Sequence, residues 1–224
     1  MPSKIDLLPN GNYQFRVIES LKKNDVKTVI DVGSNVGNTI IQYYNEYHPE
    51  KIYGFEPCTE NYNKAKENTK NIPCVELFNV AVSNEDVFGE LFLYPSSSGH
   101  SLLSSNGAKA LPTQDVKIIR LDTWAKELGV KSFDLVKIDV QGNDFRVILG
   151  MGDMINTVKI MKVEVWFDHS SYKDAHLFDK VMGFMYDHGF RLRNFPVLTY
   201  LKDNRISWGD AIFLRKDIFN ENIQ

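Results

Sequence analysis

The chain has 224 residues, 43% of them hydrophobic, which is enough for one α/β domain with a full core. Its 26 basic and 29 acidic side chains are interspersed and give a formal net charge of −3, so neither a nucleic-acid footprint nor a basic membrane-binding surface is indicated. Only Cys58 and Cys74 occur, without metal-ligand spacing, so a disulfide framework has no support and a reducing compartment is favoured. Because no signal-peptide pattern and no apolar run of ~18 residues is present, we expect a soluble, cytoplasmic protein.

Hydrophobic periodicity predicts alternating helices and strands along one domain over residues 1–224, with no linker. The first half is predicted to contain a helix at 13–23, strands at 27–32, 52–55 and 75–82, and helices at 38–47 and 60–71. The second half is predicted to contain strands at 135–140, 159–166, 190–195 and 210–214, and helices at 143–149 and 175–188. Between the halves, a hairpin-like pair at 89–94 and 116–121 brackets a polar segment, 95–113, that is too long for a connector and is expected to be an active-site loop.

The strongest local signal is the stretch VIDVGSNVGNT at 29–39. A β-branched run reaches an acidic residue, Asp31; Gly33 and Gly37 then permit a tight turn, and a helical pattern opens at Asn38. A second apolar run ends in Glu56, where a carboxylate can accept hydrogen bonds from both hydroxyls of a ribose. Together these segments predict a site for a cofactor that carries an adenosyl group.

The residue between the two glycines indicates which cofactor binds. The dinucleotide fingerprint G-x-G-x-x-G needs a second glycine beside a pyrophosphate, and here that position is Asn35. An amide that both donates and accepts hydrogen bonds suits an amino-acid group better than a diphosphate, and no G-x-x-x-x-G-K-[ST] loop occurs. S-adenosylmethionine is therefore favoured, and a nicotinamide-dependent oxidoreductase remains a less favoured alternative.

These motifs and four later blocks resemble the FkbM-type family of class I methyltransferases. The turn DVGSNVG matches the family's D-V-G-A-N-x-G, with Ser34 in place of Ala, and GFEP matches its E-P strand end. The blocks NVAVS at 79–83, SGHSL at 98–102, LDTW at 121–124 and KIDVQGND at 137–144 follow in the family's order. Gln141 and Asp144 depart from the family pattern K-I-D-V-E-G-x-E, because each stands where Glu is usual. The resemblance covers roughly residues 28–164.

The resemblance implies a Rossmann-like fold with a seven-stranded, mostly parallel sheet, helices on both faces and an antiparallel last strand. It also implies methyl transfer from S-adenosylmethionine to a hydroxyl of a sugar or other polyhydroxy metabolite. Cofactor contacts are expected from Asp31, Gly33, Ser34, Asn35, Gly37, Thr39, Glu56, Pro57, Ala81, Val82, Ser101 and Asp139. Within this set, we expect Asp31 to orient the turn by accepting its amides rather than to touch the cofactor.

Methylation of a hydroxyl needs a base beside the acceptor oxygen. Asp139 follows the strand at 135–140, at the edge where open α/β sheets place their chemistry, and is the preferred base; capping of the next helix is its structural alternative. His100 in the long loop and His169 after a later strand are the other candidate bases, each also typical of an ordinary loop histidine. Glu164 lies inside a run suited to burial, so it needs a partner or a function.

The acceptor pocket is expected between the 95–113 loop and the segment 167–173. Trp166, Phe167 and Tyr172 offer flat faces there on which a sugar ring can lie, although aromatic residues are as often part of a core.

No metal ligand is predicted, because the spacing of Asp139, Glu164 and Asp168 is not diagnostic of a divalent-metal site. No nucleic-acid or membrane partner is expected. A non-catalytic module that binds S-adenosylmethionine remains an alternative, because Gln141 replaces a residue that is usually Glu.

Overall fold

The computed structural model describes residues 26–106, 112–169, 171, 172 and 174–221. The strands are β1 Thr28–Val32, β2 Lys51–Phe55, β3 Val75–Phe78, β4 Ala81–Val82, β5 Val87–Leu91, β6 Gln114–Ile119, β7 Leu135–Ile138, β8 Ile160–Trp166, β9 Phe190–Tyr200 and β10 Ile206–Arg215. The helices are α1 Asn38–Tyr47, α2 Thr59–Thr69, α3 Leu121–Leu128, α4 Asp144–Leu149, α5 Phe178–Asp187 and α6 Lys216–Glu221. The helix expected at 13–23 lies outside the described residues. Within them, no helix is both long and apolar enough to cross a membrane.

Seven strands form the main sheet, in the order β3-β2-β1-β7-β8-β10-β9. The first five of these run parallel to one another, and β10 runs antiparallel to both β8 and β9. The seven-stranded, mostly parallel sheet with an antiparallel last strand is therefore confirmed. The chain order reverses between β1 and β7, and in open α/β sheets such a switch point leaves a ligand-binding crevice at the carboxyl ends of the strands.

Helices cover both faces of this sheet. On one face, Ile40 and Tyr43 of α1 pack in a cluster with Leu135 of β7. On the other face, Trp124 of α3 packs in a second cluster with Val136 of the same strand. Since successive side chains of a strand point to opposite faces, β7 is buried on both, which explains why Leu135, Val136 and Ile138 are apolar.

A separate three-stranded sheet, in the order β4-β6-β5, holds the insertion. β5 and β6 pair antiparallel, as expected from the hairpin pattern, although each begins two residues earlier than predicted. The prediction of one strand over 75–82 is wrong, because β3 belongs to the main sheet and β4 pairs with β6. The chain turns between them at Asn79, whose Nδ2 donates hydrogen bonds of 2.9 Å to the carbonyl oxygens of Glu56 and Pro57.

Several element boundaries also differ from the prediction. α3 was not expected, although its end carries the usual signal, a glycine: Gly129 adopts φ +71° and caps the last turn. α5 begins at Phe178 rather than at 175. β9 continues to Tyr200 rather than ending at 195, and β10 begins at Ile206 rather than at 210. β7 ends at Ile138 rather than at 140, because the next residues form a turn that contributes to the site.

Candidate active site

A cleft of about 580 Å³ opens at the carboxyl ends of β1, β2 and β7, where the chain order reverses. Of the residues expected in the site, those that line the cleft are Gly33, Asn35, Glu56, Pro57, Ala81, Val82, His100, Ser101 and Asp139. The expected site residues that do not line it are Asp31, Ser34, Gly37, Thr39 and His169. The cleft thus brings together the cofactor motif and the preferred catalytic carboxylate.

The β1–α1 turn packs directly on the end of β7. Gly33 has φ +78°, and a Cβ atom at this position would lie 1.9 Å from the carbonyl oxygen of Asp139. The amide of Asp139 in turn donates a 3.1 Å hydrogen bond to the carbonyl of Val32. Glycine is therefore required at position 33 by the neighbouring backbone as well as by the positive φ.

Lys137 of β7 binds the β1–α1 turn through its ammonium group. Its Nζ lies 2.6 Å from the carbonyl oxygen of Gly33 and 3.2 Å from Oδ1 of Asp31, and both charged side chains are buried. Burial alone would lower the pKa of Lys137, but Asp31 and Asp139 raise it above its ordinary value, so the ammonium stays charged. The expectation that Asp31 accepts amides of the turn is wrong: its carboxylate pairs with Lys137 instead.

Glu56 ends β2 with its carboxylate buried and held by two main-chain amides. Oε2 accepts a 2.7 Å hydrogen bond from Asn35, and Oε1 accepts one of 2.9 Å from Cys58. Burial raises the pKa of Glu56 to about 7, although these amides and Lys137 act in the opposite direction. Because each carboxylate oxygen can accept more than one hydrogen bond, Glu56 keeps the capacity to bind ribose hydroxyls at the cleft.

The side chain of Asn35 leaves a buried acceptor without a donor. Its Oδ1 accepts no hydrogen bond from any described residue. Such an atom costs free energy unless a donor reaches it, and an α-amino group is a suitable donor. With Glu56 available for a ribose and the apolar pair Ala81 and Val82 in the same wall, these residues fit S-adenosylmethionine.

The turn after β7 is held from two sides. Gln141 and Gly142 have φ +57° and +93°. The carboxylate of Asp144 accepts hydrogen bonds of 2.9 Å from the amides of Val140 and Gly142, and Ser101 Oγ donates one of 2.6 Å to the carbonyl of Gln141. Asp144, not Asp139, therefore binds the amides of this turn, which leaves the carboxylate of the preferred base available for another role.

Gln141 joins the carboxylates of Asp139 and Glu164. Its Nε2 lies 3.0 Å from Oδ1 of Asp139 and 3.1 and 3.2 Å from the two carboxylate oxygens of Glu164. The side chain of Asp139 is 42% exposed, whereas Glu164 is 5% exposed. Burial, reinforced by the charge of Asp139, raises the pKa of Glu164 well above its ordinary value. Among the described residues, no group of three or more His, Cys, Asp or Glu side chains is arranged to hold a metal ion.

The two histidines expected as alternative bases are placed differently. His100 lines the cleft, but its Nδ1 accepts a 3.1 Å hydrogen bond from the amide of Tyr94, so the neutral ring carries its proton on Nε2. Burial also lowers the pKa of His100. His100 is thus suited to donate a hydrogen bond rather than to accept a proton. His169 is exposed, and its main-chain carbonyl oxygen accepts a hydrogen bond from the side chain of Asn106.

Three other expected cofactor residues have structural roles. Ser34 Oγ donates to the carbonyl of Asp31, and a Cβ atom on Gly37 would lie 3.1 Å from Thr69 of α2. Ser101 lines the cleft, but its hydroxyl is committed to Gln141 and to the amide of Leu103. Ser34 and Gly37 therefore act through the packing of the turn, and Ser101 acts through the two hydrogen bonds of its hydroxyl.

The aromatic faces expected for an acceptor are not available at the surface. Trp166 and Tyr172 are 4% and 5% exposed, and they pack edge to face in a cluster with Leu103. Phe167 packs against Phe178 and Phe195. The prediction that these residues form a sugar platform is therefore wrong; of the expected pocket segment, residues 170 and 173 lie outside the described part of the chain.

Two sets of side-chain hydrogen bonds to the backbone of the cleft were not predicted from the sequence. Asn79 and Gln114 both donate to the carbonyl of Pro57, at 2.9 and 2.8 Å, and so fix the strand end that carries Glu56. Asn143 donates to the carbonyl of Val82 at 3.3 Å. The signal for Asn79 was present, because a polar amide directly after an apolar run often ends a strand by binding backbone groups.

Comparison with known proteins identifies the family of the chain. The chain matches the methyltransferase FkbM domain over residues 31–192. It is 24% identical to the 2-O-methyltransferase NoeI of Sinorhizobium fredii over 180 residues, which cover 73% of this chain and 70% of that protein. It is also 24% identical to the hexuronic acid methyltransferase AglP of Haloferax volcanii over 155 residues, which cover 66% of this chain but only 59% of AglP.

Two solved structures share the fold. The FkbM methyltransferase of Methylobacillus flagellatus KT aligns with a TM-score of 0.56 and 10% identity, over 87% of this chain and 44% of that one. SMU.1697c of Streptococcus mutans, solved in complex with SAH, aligns with a TM-score of 0.50 and 10% identity, over 86% and 90% of the two chains. At such identities, these likenesses show the fold alone. Because the family match spans most of the chain, this protein belongs to the FkbM methyltransferase domain family.

Proposed function

We propose that this protein transfers a methyl group from S-adenosylmethionine to a hydroxyl of an uncharged sugar or similar polyhydroxy metabolite. The observation that carries the proposal is the position of Asp139. Its half-exposed carboxylate lies in the wall of the same cleft as Asn35 and Glu56, and it is not used to hold the turn.

Each residue has a distinct task in this reaction. Glu56 accepts hydrogen bonds from the ribose hydroxyls, and Asn35 Oδ1 accepts one from the amino group. When bound, S-adenosylmethionine supplies an electrophilic methyl group. Asp139 accepts the proton of the acceptor hydroxyl, and holding the acceptor beside it supplies the usual gain from proximity, up to ~7–11 kcal/mol of the barrier.

The charges of the cleft favour an uncharged acceptor. Among the described residues that line it, Glu56 and Asp139 are acidic and none is Lys or Arg. A hexuronic acid, the substrate named for AglP, would add a carboxylate to a cleft in which no described lining side chain is Lys or Arg. A neutral sugar meets no such penalty.

The two alternative functions are less well supported. A non-catalytic module would be expected if Gln141 had replaced the base, but the structure keeps a carboxylate at Asp139 beside it. A nicotinamide cofactor would require close approach of a pyrophosphate at position 35, where the Asn side chain stands. An RNA acceptor is disfavoured by the net charge of −3, and this exclusion stays a prediction.

The test is transfer of labelled methyl from S-adenosylmethionine to three acceptor pools: neutral sugars, hexuronic acids and RNA. We expect label in the neutral sugars. Asp139→Asn should lower kcat by ~10²-fold or more while calorimetry shows only a modest loss of S-adenosylhomocysteine affinity. Asp115→Asn, an exposed residue of β6, is the matched control and should keep full activity.

Each other outcome excludes part of the proposal. Label in hexuronic acids or RNA alone would overturn the acceptor class. Binding of S-adenosylhomocysteine without transfer to any pool would favour the non-catalytic module, and binding of NAD in its place would favour the oxidoreductase.

A further inference from the structure

The side-chain amide of Gln141 lies between two carboxyl groups, where a cation would otherwise be needed to offset their negative charge. Asp139 and Glu164 both reach toward it, one from the end of β7 and the other from the middle of β8. The two hydrogens on Nε2 serve both carboxyl groups at once, one toward each. A carboxylate at position 141, as in the family pattern, would instead place three acids together.

The backbone fixes this amide in its position. Gln141 has φ +57°, a conformation that residues other than glycine adopt rarely, so neighbouring contacts must hold it. Ser101 binds its carbonyl, and Asp144 binds the amides on either side of it. A Cβ atom on Gly142 would lie 2.9 Å from the ring of Tyr172, so the turn has no room to shift toward that ring.

Among the described residues, the charged neighbours leave the pair without a dedicated cation. From β7, Lys137 approaches Asp139 to 3.8 Å but is already paired with Asp31 at 3.2 Å. From β8, Lys162 pairs with Asp210 of β10 at 2.9 Å. The remaining titratable groups that face the pair, Asp144 of α4 and the phenol of Tyr172, carry no positive charge.

We propose that Gln141 is a positioning residue of the methyl transfer: its amide joins Asp139 and Glu164 into one hydrogen-bonded unit that carries a single negative charge, on Asp139. This inference rests on the proposed function for the role of Asp139. The unit fixes the orientation of the Asp139 carboxylate at the cleft and keeps Glu164 as the neutral partner. Burial of Glu164, which favours its protonated form, agrees with this distribution of charge.

The proton balance of the reaction follows from this arrangement. Asp139 accepts the proton of the acceptor hydroxyl while the acceptor oxygen forms its bond to the methyl carbon and the bond from sulfur to that carbon breaks. The products are the methyl ether, uncharged S-adenosylhomocysteine sulfur and a protonated Asp139, so the positive charge of the sulfonium and the negative charge of the carboxylate are both removed.

The first test needs no turnover. Carboxyl signals of the full chain, labelled with ¹³C in Asp and Glu, are titrated by NMR and assigned with Asp139→Asn and Glu164→Gln. In Gln141→Glu the midpoint of the Asp139 signal should move up by about one pH unit or more, because a like charge lies beside it. Gln42→Glu adds the same charge on α1, away from the pair, and should leave the midpoint in place.

Two further variants separate the loss of the amide donors at position 141 from the added negative charge at that position. Gln141→Met keeps the length of the side chain without its donors, and should also raise the midpoint if Gln141→Glu does not fold. The double variant Gln141→Glu/Glu164→Gln restores the number of carboxyl groups but replaces the amide beside Asp139 with a carboxylate, so its midpoint should stay raised. A midpoint like that of the wild type in Gln141→Glu, in Gln141→Met or in the double variant would overturn the proposal.

Kinetics give the second readout. In Gln141→Glu the acid limb of the kcat/KM profile should move to higher pH, with activity at pH 8.5 within about threefold of the wild type. A uniform loss at every pH would indicate a structural role and would also overturn the proposal. If the wild type methylates no acceptor, the proposed function fails, whereas the NMR midpoints still decide whether Gln141 joins the two carboxyl groups.

Discussion

Burial and a bound ribose favour different protonation states of the Glu56 carboxyl group. Its pKa of about 7 means that burial favours the protonated form, whereas ribose hydroxyls bind best to the carboxylate. We therefore expect the affinity for S-adenosylhomocysteine to rise as the pH increases through about 7. Glu56→Gln should weaken binding at pH 8 by roughly 1–3 kcal/mol and flatten this dependence.

Calorimetry at a series of pH values measures both effects. Glu60→Gln is the control, because Glu60 is an exposed residue of α2 that contacts Lys64, and it should bind the ligand like the wild type. An affinity that does not change with pH in the wild type would remove Glu56 from the ribose site.

At single positions, the sequence identified residues that line the cleft better than it identified the partners of their side chains. Asn35 and Glu56 were identifiable because each lies inside a motif whose spacing already describes a turn. The partner of Asp31 was not, because Lys137 comes from a strand far along the chain and meets it only through the pairing of β1 with β7. The link from Gln141 to Glu164 depends in the same way on the pairing of β7 with β8.

The hydroxyl of Ser101 joins the segment 97–106 to the turn after β7. Ser101 Oγ donates to the carbonyl of Gln141 and accepts from the amide of Leu103. We expect Ser101→Ala to speed amide hydrogen exchange at residues 101–106, because both hydrogen bonds are lost. Ser96→Ala, which removes only an exposed contact with Ser98, should leave exchange there unchanged.

Added S-adenosylhomocysteine should slow exchange in this segment in the wild type, since Ser97, Ser98 and His100 line the cleft. Exchange that is equally slow in the wild type and in Ser101→Ala would show that other contacts hold the segment. Residues 107–111 of the expected active-site loop lie outside the described part of the chain.

The order of the elements was predictable, and their exact partners were less so. Alternation of apolar runs with helical patterns identifies the parallel strands, because each must be buried on both faces. The break between β3 and β4 was missed because both are rich in apolar residues and the two residues between them include one polar side chain, that of Asn79. α3 was missed because its start follows β6 after a single residue, Arg120.

The molecule as a whole should lose stability as the pH rises. Glu56, Asp144 and Glu164 have a raised pKa in the folded state, chiefly through burial, so the folded chain holds protons that the unfolded chain has released. Stability that depends on such groups is lost as the pH rises toward their folded pKa. His100 and His176 act in the opposite direction below about pH 6.5, because burial lowers their pKa.

The carboxyl groups therefore act alone above pH 6.5. In urea titrations without ligand, we expect the free energy of unfolding to fall between pH 6.5 and 8, and Glu164→Gln to reduce that fall. A free energy that stays constant or increases over this interval would contradict a raised pKa of these carboxyl groups in the folded state.

The contact between Gly33 and the carbonyl of Asp139 has a consequence for how such a protein can diverge. A side chain as small as a methyl group does not fit between the β1 turn and the end of β7. A chimera that takes one of these two segments from a distant relative must therefore reproduce the backbone path of both. We expect recombination between them to be poorly tolerated, so that cofactor recognition and proton abstraction are inherited as one unit while acceptor recognition, carried by other segments, is free to change.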